Sequence, residues 1–270
     1  MKFKSLLILL LAVATVVMPL DAASKKPKKA PAAKSKSKAS ARNFHYVGQW
    51  RGYKKGKSGF GLGTVSMIAP GWAITAKHVA SNEIRSPKSV NAQVEFSVPG
   101  SGRTRKLTAR VAKAYGSFKG DFALLRLDKP LNIVPKVALL ADPITKKDGT
   151  ITFTMIGHKG GLHVHRGRKG RSNDGQGFYH SKTNGGRPGK AGDSGGAWVI
   201  ERSGKERDVQ FSVIHGGGKG PQVAPNRKAI NAIIARETPK VKVQWVSKKD
   251  LPQLKGKAPA KKAPAKKKKK

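Results

Sequence analysis

The chain contains no cysteine. Disulfides, thiolate metal sites and a cysteine nucleophile are therefore excluded, and the fold has to be held by its core. At 270 residues the chain is long enough to bury such a core in one full-sized domain or two small ones. Acidic residues are scarce: 14 Asp+Glu face 56 Lys+Arg, for a formal net charge of +42. That imbalance says nothing about fold, but it favours polyanionic partners such as nucleic acid, acidic polysaccharide or an anionic membrane surface. Long apolar runs are also missing, apart from one at the start, so no integral membrane span is expected once that segment is removed.

The exception is the stretch from Leu6 to Val17, preceded by Lys2 and Lys4 and followed by the small residues Ala22 and Ala23. This is the layout of a secretory signal peptide over residues 1–23, and it predicts a secreted or extracytoplasmic protein. Residues 24–42 are rich in Lys, Ala, Pro and Ser, and residues 246–270 are Lys-rich and end, from Lys255 to Lys270, in a similar Lys, Ala and Pro mixture. Their low apolar content cannot offset the entropy of ordering, so both are expected to be disordered basic tails. Removing the +7 of residues 24–40, the +10 of residues 246–270 and the +1 of the first 23 still leaves +24 for residues 41–245. The part expected to fold is itself a polycation, which serves solubility at the least and polyanion contact at the most.

Between the tails, short apolar and β-branched runs recur between Gly, Pro and Asn breaks: Leu62–Ile68, Trp72–Thr75, Gln93–Val98, Leu107–Ala112, Phe122–Leu127, Thr150–Ile156, Ala197–Ile200 and Val209–Ile214. Many short strands separated by turn signals predict an all-β barrel or sandwich. One helix is expected near the end, from about Arg227 to Arg236, with Ile230, Ile233 and Ile234 on one face after the breaker Pro225.

Three segments carry chemistry. In Gly192-Asp193-Ser194-Gly195-Gly196 a serine between glycines suits a tight turn whose amides converge on one point, as acyl transfer requires. In Thr75-Ala76-Lys77-His78 a histidine follows a buried-looking strand, where it can be held rigidly as a general base. In Asp121-Phe122-Ala123-Leu124-Leu125 an aspartate opens an apolar strand, a costly position unless a neighbour such as an imidazole N–H uses its charge. Taken singly, each has a plainer reading: a Gly-rich turn, a histidine packed at a strand end, a surface aspartate capping a turn.

Together and in this order, Thr-Ala-x-His, Asp-x-Ala-Leu-Leu-x-Leu and Gly-Asp-Ser-Gly-Gly resemble the signature blocks of the chymotrypsin-like (trypsin-like) serine proteases. The resemblance covers roughly residues 43–245. It implies two six-stranded antiparallel β-barrels with a C-terminal helix, and a serine endopeptidase acting on protein or peptide substrates. It further implies Ser194 as nucleophile, His78 as base and Asp121 as the residue orienting it, with the amides of Gly192 and Ser194 as oxyanion hole. The substrate-binding positions it points to are Pro188, His215, Gly216 and Gly217. Pro188 stands where trypsins carry the aspartate that binds Lys or Arg, so that specificity is rejected; His215 could favour an acidic side chain instead.

The chain departs from animal members in two respects. Tyr46-Val47-Gly48-Gln49 is a poor match to their activation terminus, so an internal cationic partner is expected for Asp193. The absence of cysteine leans toward the bacterial or viral branches. His163 and His165 alternate along one strand and could bind a metal, but a solvated basic strand is the favoured reading, and neither metal nor cofactor is expected. An alternative function is a binding or capsid-like protein on the same fold: alphavirus capsid proteins resemble this chain in carrying a Lys-rich arm before such a domain, and they cleave themselves once after a terminal Trp, a position comparable to Trp245.

Overall fold

Strand β4 (Gln93–Pro99) shows how the sequence builds the first half: Val94, Phe96 and Val98 are buried while Gln93, Glu95 and Ser97 alternate with them at the surface side. In this computed structural model the described residues are 44–53, 60–86, 91–101, 103–133, 136–172, 177–180, 191–203, 206–216 and 218–254. The expected signal peptide, the tail at 24–42, the C-terminal tail from 255 onward, Pro188 and Gly217 lie outside them.

Six strands form the first unit: β1 (Val47–Tyr53), β2 (Phe60–Ala69), β3 (Trp72–Thr75), β4, β5 (Thr104–Tyr115) and β6 (Ala123–Leu127). They close into a barrel in the order β1-β2-β3-β6-β5-β4, every pair antiparallel. Trp50, Met67, Trp72, Ile74, Phe96 and Phe122 are all at most 1 % exposed inside or against it. Burial of each contributes about 1.5–3 kcal/mol, which is how the fold stands without disulfides. A short helix, α1 (Ser81–Arg85), follows β3.

The second half is an eight-stranded sheet: β7 (Ala138–Leu140), β8 (Thr150–His158), β9 (Leu162–Arg171), β10 (Gly177–His180), β11 (Ala197–Ile200), β12 (Val209–Val213), β13 (Lys219–Pro221) and β14 (Trp245–Val246), ordered β13-β10-β9-β8-β11-β12-β7-β14. Six of these, β8 to β13, curl into a second ring. Its seam is slight, consisting of a bridge between Ser212 and Gln222 and a bond from the Val223 amide to the Phe211 carbonyl at 2.8 Å. The first half is thus the expected closed six-stranded antiparallel barrel, while the second is a curled eight-stranded sheet in which β7 and β14 are added in parallel at the edge beside β12. Phe153, Phe178, Trp198 and Phe211 fill this ring, their centroids 4.8–6.3 Å apart in mostly edge-on contacts.

Helix α2 (Arg227–Glu237) buries Ile230 and Ile234, within one residue of the expected span. The first barrel's apolar core runs on through Ile156, Val199 and Val213 to these two isoleucines, whereas Phe153, Phe178, Trp198 and Phe211 belong to a separate core inside the second half. Folding also continues past residue 245: Val246, Leu251 and Leu254 are buried in the second core.

Candidate active site

Strands β3 and β6 pair antiparallel with Thr75 opposite Ala123. Residue 78, just beyond the end of one, and residue 121, just before the start of the other, therefore arrive at the same rim of the first barrel. There Asp121 Oδ1 accepts the His78 backbone amide at 2.8 Å, and Oδ2 lies 2.6 Å from His78 Nδ1. The carboxylate fixes both the main chain and the ring of the histidine. With Nδ1–H donated to Asp121, Nε2 is the nitrogen left to accept a proton.

A second imidazole meets the same oxygen. His215 follows β12, its amide bonded to the Lys219 carbonyl at 3.1 Å, and its Nδ1 also contacts Asp121 Oδ2. The two rings stand perpendicular with centroids 5.4 Å apart. Partial burial pushes the Asp121 carboxyl up, but the hydrogen bonds from His78 and His215 more than offset this and bring it down to about 2. Asp121 is therefore an anion throughout the neutral range.

Ser194 comes from the loop before β11 and is held from both barrels. The Thr64 amide on β2 donates to the Ser194 carbonyl at 2.8 Å, and the Thr64 hydroxyl donates to the Gly192 carbonyl at 2.9 Å while accepting the His158 amide at 2.9 Å. From the other side the Gly195 amide bonds the Ile214 carbonyl at 2.7 Å. Gly195 has φ +85°, and a Cβ there would collide with Thr75 Oγ1 and the Thr64 carbonyl, so only glycine lets the loop lie this close to β2 and β3. The amides of Gly192 and Ser194 donate to no described residue.

Asp193, 1 % exposed, points inward beneath this loop and meets His163 Nδ1 at 3.2 Å. Gly157 makes room for it, because a Cβ at that position would collide with the Asp193 carboxylate. Tyr46 and Val47 are buried and belong to the start of the first barrel, so the Tyr46–Gln49 segment is not a free terminus. The internal partner expected for Asp193 is supplied at least by an imidazole.

His78 and Ser194 line one cavity of about 360 Å³ together with Trp50, Leu62, Asn82 and Glu83. Among the described residues Ser194 Oγ has one hydrogen-bond partner, the His215 carbonyl at 3.4 Å. The structure thus joins His78 to Asp121 directly and brings Ser194 to the same cavity, without a bond between serine and histidine. His215 and Gly216 follow β12 as expected, but the His215 ring is engaged by Asp121. Sequence reasoning missed that contact, the tie made by Thr64, and the presence of Glu83, whose carboxyl burial pushes up. A threonine or a glutamate in an ordinary strand or helix offers no signal for such a role, whereas the family resemblance did point to position 215, as a substrate-binding residue.

The family model described as Trypsin matches residues 37–226 of the chain. No curated protein matches it.

Proposed function

Because this chain belongs to the trypsin family, and so carries a trypsin-like serine protease domain, we propose that it is a secreted serine endopeptidase with Ser194, His78 and Asp121 as its catalytic triad. The observation that carries this reading is the 2.6 Å contact of His78 with Asp121 on one wall of the cavity that Ser194 also lines. His78 Nε2 takes the Ser194 proton as Oγ attacks the scissile carbonyl, then delivers it to the leaving amine. Water repeats the cycle on the acyl-enzyme. Asp121, ionised and bonded to Nδ1–H, keeps the ring in the accepting tautomer and stabilises the imidazolium. The amides of Gly192 and Ser194 stabilise the oxyanion. The 3.4 Å bond from Ser194 Oγ to the His215 carbonyl is long, and rotation of the hydroxyl toward His78 gives up little.

Wild-type protein should be labelled by a fluorophosphonate probe and the Ser194→Ala variant should not; a folded wild type that fails to label removes the enzyme reading. The leader-like residues 1–23 support export, and the charge of +24 left on residues 41–245, together with the Lys-rich ends, supports attachment to a polyanion. Retention on heparin should fall steeply with added salt. A response flat in salt would leave the charge to solubility alone.

A further inference from the structure

Two imidazoles on one carboxylate oxygen exceed what orienting a single base requires. The donor atoms of His78, Asp121 and His215 all lie within 4.8 Å of one another, and both histidines present the same nitrogen, Nδ1. Two imidazole nitrogens and one carboxylate oxygen are the ligand set that suits Zn²⁺, with water or substrate in the fourth position. Both rings are about half exposed, at 45 % and 50 %, so an ion can enter from solvent and the rings can spread to admit it. A further cavity of about 350 Å³, lined by Lys77, His78, Ser81 and Asp121, opens beside the carboxylate. The groups behind the ligands are already fixed: the His78 amide holds Asp121 Oδ1, and the Lys219 carbonyl holds the His215 main chain.

We propose that His78, Asp121 and His215 form a reversible Zn²⁺ site that switches the nucleophile off, an inference that rests on His78 being the base. Zn²⁺ forms bonds to the two Nδ1 atoms and to Oδ2, at about 2.0–2.2 Å each. The hydrogen bonds to Asp121 break, and each displaced Nδ1 proton is replaced by one on Nε2. No electron changes hands. A His78 ring metallated at Nδ1 carries its proton on Nε2, so it has no lone pair to accept the Ser194 proton, and the ion occupies the position from which Asp121 oriented the ring.

The test is calorimetric titration of Zn²⁺ alone into the full chain carrying Ser194→Ala, and into the same chain with His215→Gln added. Glutamine keeps a hydrogen-bond donor for Asp121 but is a poor zinc ligand. One ion per chain should bind most tightly in the first protein, and that site should weaken by more than about 100-fold in the second. Equal binding in the two would place the ion elsewhere and overturn the proposal. In parallel, Zn²⁺ should block fluorophosphonate labelling of the wild type, with chelator restoring it; labelling indifferent to Zn²⁺ would also overturn it. A wild type that never labels would refute the peptidase reading instead, and the calorimetry would still decide the metal site.

Discussion

The two barrels use the same architecture for different tasks. The first closes through antiparallel ladders, seven residue pairs long between β1 and β2 and again between β4 and β5, with β1 and β4 joined by three pairs. It carries His78 and Asp121 on adjacent strand ends, so their meeting is fixed by the register of β3 and β6. The second curls back on itself through no more than the Ser212–Gln222 bridge and the Val223 amide bond to Phe211, and carries Ser194, His215 and the inward-facing Asp193 on connections between strands. Base and carboxylate are thus placed by a ladder, whereas the serine is placed by ties from its own half and by others that reach across from the first barrel. The lesson is that the nucleophile loop borrows part of its hold from β2.

Changes on either side of that divide sharpen the contrast. Asp121→Asn acts within the first barrel and should have the largest effect, lowering kcat/KM for a peptide substrate by about 10⁴-fold, because an amide cannot hold the accepting tautomer of His78. A loss of less than about tenfold would show that His78 does not depend on Asp121. Since the Asp121 carboxyl lies at about 2, it stays ionised as pH falls well below neutrality, so an acid limb of the wild-type rate profile above about pH 4 does not report this carboxyl.

Thr64→Val acts on the tie between barrels and should come next. It keeps the Thr64 amide on Ser194 but leaves the Gly192 carbonyl and the His158 amide without their partner, a cost of about 2–4 kcal/mol in denaturant unfolding. Ser66→Ala, two residues along the same strand, is the control and the smallest effect. Its buried hydroxyl has no partner among the described residues, so removing it should change stability by less than about 1 kcal/mol. Equal losses for the two hydroxyls would remove any special role for Thr64.

The contrast also explains what could be read from the sequence. Strands with apolar alternation or a fully buried run, such as β3, β4, β6, β8, β11 and β12, stand out because their side chains repeat with the period of a strand. Strand β9, Leu-His-Val-His-Arg-Gly-Arg-Lys-Gly-Arg, is legible only around His163 and His165, although it is ten residues long. Only Arg168 and Gly170 are buried along it, so its pairing depends on backbone bonds that composition does not reveal. Strand β1 was hidden by Gly48 and Gly52, and β7, β13 and β14 by lengths of two or three residues. In the site, His78, Asp121 and Ser194 were legible because each sits in a short local block. The approach of His215 to Asp121, 94 positions apart, and of Thr64 to Gly192, 128 apart, depends on how the barrels meet, which no local pattern encodes.

The anchoring of the last described residues sets where the chain can be trimmed or extended. Asp142 accepts the Ser247 hydroxyl at 2.9 Å and the Lys248 amide at 2.8 Å, and the Lys248 ammonium reaches Asp148 at 2.9 Å, while Leu251 and Leu254 plug the second ring. A truncation at Trp245 would strip those plugs and take both hydrogen-bond donors from Asp142, while Asp148 would keep only Thr145, so a product released by self-scission at that tryptophan would lose part of its own core. A tag or fusion partner belongs after Leu254.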